Sequence, residues 1–515
     1  MSEPMEKATN RGGRIAKNTL MLYIRMLFLM LVGLYTSRVV LSALGESDFG
    51  IYGVVGGVVA MFTIISGSLS AAITRFITFE MGKGPDGRLP AVFSSAVTIQ
   101  IMLALIVLII AEPAGIWFIE NKLNIPAGRT DAAHWVYQFS LLTFVINIVS
   151  VPYNASIIAH EKMSAFAAIG IFEGVAKLGV AFLIVRSPVD RLVYYAFLMC
   201  LVAVSVRFAY TVYCRRHFDE CRYSFVWDGK LLRQMSAFAG WNFIGVASGA
   251  LRDHGGNILI NIFSGPAANA ARAVSVQLGG AVQSFVTNFM TAVNPQITKS
   301  YAAQERDYTM RLVFRSSRYA YFLLFIIALP VLLQTPFILD IWLGDAPERS
   351  SNFVRLALVL SLSECISNPL ITLMLATGRI RNYQIIVGGL QLLNLPISYL
   401  VLKAGAPPES ILLVAIVISQ SSLFARLVML KGMTGLCAGR FMSQVYLRIL
   451  LVTALAYLPS WWLSTLLGEG PWAFVGSCVI SVGISGLVIW TVGLAKDERK
   501  LLRAKADDLL RRKQA

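Results

Sequence analysis

The amino-acid sequence predicts an all-α polytopic membrane protein of about 14 transmembrane helices, and three observations carry that prediction. Apolar runs, each near the ~20 residues that a helix needs to cross a bilayer, fill the chain almost from end to end. Hydrophobic residues make up 56% of the 515 and charged residues only 14%, with a mean hydropathy of +0.66. The basic residues gather in alternate connections rather than evenly. Backbone polar groups in hydrocarbon must be satisfied within the segment, so runs of this length are expected to be helices.

The first span, 18–44, follows the basic stretch Lys7, Arg11, Arg14 and Lys17. Its apolar run is too long for a signal peptide and no A-x-A pattern closes it, so it is expected to be retained. The second span, 49–79, ends before Lys83 and Arg88. The third and fourth, 89–111 and 132–158, are joined by the longest outer connection, Glu120 to Asp131, and Lys162 follows the fourth. The fifth and sixth, 163–186 and 191–214, lead into Arg215, Arg216, Arg222, Lys230 and Arg233. The seventh and eighth, 236–263 and 267–297, lead into Lys299, Arg306, Arg311, Arg315 and Arg318. The ninth and tenth, 314–339 and 352–376, precede Arg379 and Arg381; the eleventh and twelfth, 382–403 and 409–431, precede Lys431 and Arg440. The last two, 443–467 and 472–494, end on a basic tail from Lys496 to Lys513. The intervening connections hold only Lys122, Arg129, Arg186, Arg191, Arg349 and Lys403. Positive charge stays cytoplasmic, so both termini are expected inside, which an even number of spans requires.

The net charge of +17 is therefore explained by topology, and no nucleic acid partner is expected. None of the six cysteines falls in an expected outer connection, so no disulfide framework is expected, and no metal-ligand spacing occurs. There is no GxxxxGK[ST], HExxH or GxSxG motif, and no catalytic residue is assigned. In the tail, Leu501, Leu502, Leu509 and Leu510 share one helical face among charges. That pattern suits the anionic inner leaflet, and it also suits a solvated helix or a frayed end.

An internal repeat divides the spans. Leu373 to Tyr383 matches Ser156 to Phe166, with Ala376 on Ala159, Arg379 on Lys162 and Tyr383 on Phe166; Pro369 matches Pro152 at the same separation. Leu44-Gly45 with the helix after it echoes Ser264-Gly265. The two offsets are close to 220 residues, so spans one to six correspond to seven to twelve. Each half has an even number of spans, which makes a parallel repeat about an axis along the membrane normal. Chance similarity between apolar helices is the alternative. The expected organisation is a cytoplasmic N-terminus (1–17), an N-lobe (18–214), a cytoplasmic linker (215–235), a C-lobe (236–431), two extra helices (432–494) and a basic amphipathic tail (495–515).

Ionisable residues inside spans are costly and are functional candidates by default. They are Arg25 and Arg38 in the first span, Arg75 in the second, Glu173 and Lys177 in the fifth, Arg252, Asp253 and His254 in the seventh, Arg272 in the eighth and Glu364 in the tenth. Each has a plainer role open to it. Arg38, Arg75 and Arg272 could snorkel to an interface. Glu173 and Lys177, four apart, could be a self-neutralising pair. Arg252 and Asp253 are adjacent and are expected to point apart; His254 could titrate or only pack. Gly255-Gly256 marks a place where the seventh helix could bend. Cations outnumber anions in this set, and guanidinium grips phosphate oxygens bidentately. A pyrophosphate head group on a membrane lipid is one ligand of that kind.

The segments Thr36 to Gly57, Ser70 to Phe76, Val151 to Met163 and Ala376 to Tyr383 together resemble the O-antigen-type oligosaccharide flippases of the polysaccharide transporter family, within the multidrug/oligosaccharidyl-lipid/polysaccharide (MOP) exporter superfamily. The resemblance covers nearly the whole chain. It implies translocation of an undecaprenyl-pyrophosphate-linked oligosaccharide across the bacterial inner membrane by alternating access, for surface polysaccharide such as lipopolysaccharide O-antigen. No enzyme activity and no resident cofactor are expected. Coupling to H+, Na+ or the membrane potential is expected, with membrane lipids, a polysaccharide polymerase and chain-length machinery as partners. From membrane depth and charge, and not from the resemblance, Arg25, Arg38, Arg75, Arg252 and Arg272 are the expected pyrophosphate and cavity residues. Glu173, Lys177, Asp253, His254 and Glu364 are the expected coupling or gating residues. A cation-coupled multidrug exporter of the same superfamily is the alternative. An O-antigen polymerase or ligase fits poorly, because the outer connections are short.

Overall fold

The computed structural model describes residues 3–60, 63–121, 125–126, 128–187, 189–225, 227–344, 347–468, 470–495 and 497–500, and among them there is no strand. Lys122 and most of the expected tail, with its four leucines, lie outside the described residues. The chain runs through α1 (Glu3–Ala60), α2 (Thr63–Gly82), α3 (Leu89–Asn121), α4 (Thr130–Ala159), α5 (Met163–Val185), α6 (Arg191–His217), α7 (Gly229–Ala302), α8 (Arg306–Leu333), α9 (Thr335–Leu343), α10 (Ser350–Cys365), α11 (Asn368–Ala376), α12 (Arg381–Lys403), α13 (Ser410–Thr434), α14 (Ala438–Leu467) and α15 (Pro471–Gly493). It is an all-helical multi-pass membrane protein. Among the described residues, 11 helices are long and apolar enough to cross a bilayer.

The three expected spans outside those 11 are 49–79, 236–263 and 267–297. The first is interrupted at residues 61–62, which are not described. The other two are the arms of α7, each about 35 residues and so about 50 Å long by helical rise. They are long enough to cross but carry Asn242, Arg252, Asp253, Asn257 and Asn261 on one arm and Asn269, Arg272, Gln283, Asn288 and Asn294 on the other.

Two glycines break the longest helices. Gly45 in α1 (φ 76°, ψ 170°) and Gly265 in α7 (φ 76°, ψ −175°) adopt backbone that a Cβ disfavours, and Pro266, with no N–H to donate, follows the second. Both breaks fall in the short connections expected between spans. Gly255 and Gly256 stay helical; they serve packing, with Gly255 against Leu395 and Gly256 against Arg272.

The chain forms two compact units. One comprises Ala16–Ala247 with Thr298–Gln304. Its core joins the α1 segment beyond Gly45 (Ile51, Val55) to α3, α4 and α6 through Val107, Val136, Tyr137, Leu141, Ile148, Leu192 and Ala196. The Tyr137 hydroxyl donates to the Ala111 carbonyl at 2.5 Å, and Gly115 leaves room for its ring. The other unit holds the described residues of Met1–Ile15, Ser248–Ile297 and Glu305–Ala515. Its core gathers Ile260, Ala268, Ala271, Phe353, Leu402, Ile411 and Leu412 around the Gly265 break. On α15, Ser477, Ser481 and Ser485 are buried at four-residue spacing, the small-residue stripe that lets membrane helices approach closely. Both units expose large apolar side chains, such as Ile109 and Leu466, as a lipid-facing surface requires.

Candidate functional site

In the first unit, α1 and α5 bring three candidate residues together. Gly170 and Gly174 on α5 receive Arg25 and Leu29 of α1; a Cβ at either glycine would strike the side chain opposite. This close approach sets the Arg25 guanidinium 4.1 Å from the centroid of the Phe166 ring. Its Nε is buried and makes no hydrogen bond, and among the described residues Arg25 forms no ion pair. Glu173 and Lys177 occupy the same stripe of α5 and pair at 2.6 Å. The Tyr210 phenol of α6 lies within electrostatic reach of both Arg25 and Glu173. Cation, carboxylate and phenol therefore form one polar patch inside apolar helices.

Arg38 and Arg75 lie apart from this patch. Arg38 is 13 residues along α1 from Arg25, about 20 Å by helical rise, and is exposed. Arg75 is half-buried near the end of α2, within 4.4–5.5 Å of the ring centroids of Phe79, Phe76 and Phe238.

In the second unit the α7 arms, α10 and α12 converge. Arg252 Nη1 donates to Glu364 Oε1 at 2.6 Å and to Gln391 Oε1 at 3.3 Å. Its Nε donates to Asp253 Oδ1 at 3.1 Å, so the neighbours do pair, contrary to the expectation that they point apart. Side chains at i and i+1 on a helix start on different sides; here the long arginine stem lets the guanidinium turn back. Arg272 reaches across the Gly265 break to donate from Nη2 to the Asp253 carbonyl at 3.2 Å. It is only 5% exposed, and its Nε and Nη1 make no hydrogen bond. Gly256 gives it space: a Cβ there would sit 2.5 Å from Arg272 Nη1. His254, by contrast, is exposed and stands outside the cluster.

The two arginines of this cluster differ chemically. Arg252 is neutralised by two carboxylates, whereas Arg272 keeps two N–H groups aimed at nothing. Leaving buried donors unmade costs about 1–3 kcal/mol each, so Arg272 is the stronger attractor for an oxyanion. Arg252 can take one only if Glu364 lets go.

Several charges escaped the sequence reading. Arg207 on α6 lies 4.4 Å from the Tyr153 ring centroid and donates to the Val149 carbonyl. Arg426 on α13 donates to Tyr383 Oη at 3.3 Å and Ser367 Oγ at 3.2 Å. Both stand inside expected spans and were open to the same intramembrane-charge argument. Gln391 carries no charge and gave no such signal. Nearer the helix ends, Arg129 pairs with Asp48 and Asp190, and Arg349 pairs with Glu409. Asp48 draws the Arg129 pKa upward against the effect of burial. Burial pushes the Asp190 carboxyl up, but Arg129 and the amides of Val193 and Leu192 outweigh it, and the net shift is downward. At other helix ends, Glu161 pairs with Lys299 at 2.9 Å and His160 with Glu220 at 2.5 Å. Burial raises the Glu220 carboxyl, but the His160 bond, a backbone amide and the His160 charge together outweigh it, and the net shift is downward. Among the described residues, no group of His, Cys, Asp and Glu converges to hold a metal.

The family described as polysaccharide biosynthesis protein matches residues 15–301. A comparison with curated proteins finds no match. Among solved structures, a MATE protein in complex with MaD3S aligns at a TM-score of 0.71 with 12% identity, covering 82% of this chain and 96% of that one. A Vibrio cholerae MATE transporter variant aligns at 0.67 with 15% identity, covering 82% of this chain and 98% of that one. A MOP superfamily transporter from Pyrococcus furiosus, whose binding pocket is described as reversed in polarity, aligns at 0.65 with 12% identity over 83% and 96%. At these identities the likeness is one of fold.

Proposed function

Because the chain belongs to the polysaccharide biosynthesis protein family and has the fold of MATE transporters of the MOP superfamily, we propose that it is a flippase. It moves an undecaprenyl-pyrophosphate-linked oligosaccharide across the bacterial inner membrane by alternating access, with both termini cytoplasmic. The family match over residues 15–301 carries this reading. The charge chemistry supports it. Burying a pyrophosphate without compensation is prohibitive. Arg25 and Arg272 each hold a buried guanidinium N–H that makes no hydrogen bond, and in this reading each of them, within its own unit, is a contact for the pyrophosphate in the course of transit. Arg252 becomes available when Glu364 is protonated, because the neutral acid releases the guanidinium to the phosphate. Glu364, with Glu173 beside Lys177, then couples transport to protons. Arg75, ringed by aromatics, and Arg38 attract the anion on its way.

Reconstitution with a defined lipid-linked oligosaccharide tests this. Arg25→Ala and Arg272→Ala should abolish translocation with protein abundance near wild type. Lysine at either position should restore only part, since charge returns without the planar fork. Full translocation by the Arg25→Ala, Arg272→Ala double variant would remove the site assignment.

The alternative, a cation-coupled multidrug exporter, draws on the MATE fold and on Glu173 and Glu364, carboxylates that are each about a third exposed. Efflux of a lipophilic cation dye by the same proteoliposomes, without movement of lipid-linked glycan, would favour it.

A further inference from the structure

In the first unit, α2, α3 and the first arm of α7 enclose an open cleft of about 450 Å³. Its floor is polar but satisfied: Ser68 Oγ donates to the Ala239 carbonyl at 2.8 Å, and Asn242 Nδ2 donates to the Ser68 carbonyl at 3.2 Å. What remains facing the space is hydrocarbon, chiefly Leu69, Ile99, Leu103 and the exposed Met102, Ile106 and Phe243. At the ~30 Å³ that a water-sized group fills, the cleft takes roughly fifteen methylenes, the length of one acyl chain.

The same helix faces turn cationic at one end. On α7, Phe243, Gly240 and Ser236 continue at helical spacing to the exposed Arg233 and Lys230. On α3, Ile106, Met102 and Ile99 continue through Ser95 to Arg88, just before the helix begins. Asp228 lies there too, 3.4 Å from Arg88 and capping the Leu231 amide. Glu80 stands here as well, its Oε2 accepting from Arg88 N at 3.0 Å, but Lys83 pairs with it at 2.6 Å, so Arg88, Arg233 and Lys230 against Asp228 leave the mouth of the cleft positive.

The segment between α6 and α7 sets the depth of this mouth. Ser224 N donates to Ser94 Oγ at 3.3 Å, and the hydroxyls of Tyr223 and Thr98 lie 3.4 Å apart. The segment is thus fastened beside the first turns of α3 and presents Phe225 and Trp227, 70% and 63% exposed. Aromatic side chains in such a place belong to the membrane–water boundary, which puts Arg88 and Arg233 at head-group level and the cleft below it.

We infer that this cleft is a binding site for one anionic bilayer phospholipid, its phosphate at Arg88, Arg233 and Lys230 and one acyl chain between α2, α3 and α7. The site is separate from the proposed pyrophosphate residues and stands whether or not the cargo is a lipid-linked glycan.

The test replaces Phe243 with a benzophenone-bearing phenylalanine in the full-length protein, reconstituted in phosphatidylethanolamine with a minor share of phosphatidylglycerol. After illumination, adducts are identified by mass spectrometry. Phosphatidylglycerol should be enriched about thirtyfold over its bulk share at Phe243, the order that two net positive charges give at a membrane surface. The same probe at Leu201, an exposed residue on α6, should capture lipids in bulk proportion. Arg88→Gln with Arg233→Gln should erase the enrichment, and Gly240→Phe, which fills the cleft, should lower total adduct at Phe243. Bulk-proportion adducts at Phe243, or enrichment that survives the double glutamine variant, would overturn the inference.

Discussion

Glu364→Gln separates the roles of the Arg252 cluster. In the wild type, Glu364 Oε1 stands 2.6 Å from Arg252 Nη1, and the two side chains are 34% and 15% exposed. Breaking a fully buried pair costs about 3–5 kcal/mol and an exposed one about 0–1, so this half-sheltered pair is worth about 1–2 kcal/mol. Glutamine keeps an acceptor oxygen for the guanidinium, and Asp253 keeps its bond to Nε, so the loss of stability should stay near 1 kcal/mol. The effect on coupling is larger in kind. Glutamine leaves Arg252 permanently in the state that a protonated Glu364 creates. Proteoliposomes under an imposed pH gradient read this directly. Wild type should move substrate faster with the gradient than without it; Glu364→Gln should move substrate downhill and ignore the gradient. A glutamine variant that still responds to the gradient as wild type does would refute the exchange at Arg252. A drop in thermal stability of several kcal/mol would show that Glu364 is structural instead.

Three further outcomes are expected. Asp190→Asn keeps the cap on α6 but loses the charge that Arg129 holds. Because the folded Asp190 pKa is depressed, its stabilisation is present above the ordinary carboxylate range and lost as pH falls through the folded value. Wild type should therefore unfold at a higher temperature near neutral pH, by under about 1 kcal/mol for so exposed a pair, and the two proteins should converge in strong acid. Gly45→Ala and Gly265→Ala should each cost about 1–2 kcal/mol of stability, because φ is 76° at both. Gly50→Ala, in ordinary helix with open space around it, should be neutral or stabilising in the same melt. Cysteine at Glu348 should react with an impermeant thiol reagent in intact cells while cysteine at Gln304, Lys162 or Arg379 should not; labelling at Gln304 would reverse the proposed orientation.

Hydrophobicity made the helices legible, and its limits explain what it left out. Eleven spans show themselves by length and apolarity. The arms of α7 do not, because their asparagines, glutamines and arginines dilute the apolar signal, yet their ends were readable from Gly265 and Pro266. Proximity was the part that one-dimensional spacing could not supply. Glu173 and Lys177 were visible as a pair because four residues make one helical turn. The meeting of Arg252 with Glu364, 112 positions away, depends on how α7 packs on α10. Gln391 completes that cluster through a neutral side chain, and the sequence marks it with nothing.

The positions that recur along the chain sort bracing charges from candidate site charges. Left-handed backbone recurs at Gly45 and Gly265, Gly84 and Gln304, Gly128 and Arg349, and Glu161 and Gly378, each pair 217–221 positions apart. Glu161, Gln304 and Arg349 bear this strain without being glycine, so the turn itself is held in place by its surroundings. Three sets of charges recur at the same separation: Arg129 and Arg349 before α4 and α10, Asp190 and Glu409 before α6 and α13, and Arg207 and Arg426 within those last two helices. The arginines among them bind carboxylates, carbonyls or hydroxyls of their own unit, and Asp190 and Glu409 accept from Arg129 and Arg349. The candidate site charges do not recur. At the matching offsets, Arg25 faces Gly245, Lys177 faces Asn394, Arg252 faces Val32, Asp253 faces Gly33 and Arg272 faces Tyr52. A charge that only holds helices together serves equally well in either unit. The proposed cargo, a head group joined to a sugar on one side and a polyprenyl chain on the other, has no internal symmetry, and charges that met it would have no reason to repeat. The arginines found in one unit alone are therefore the ones whose loss should stop transport while leaving the helices standing.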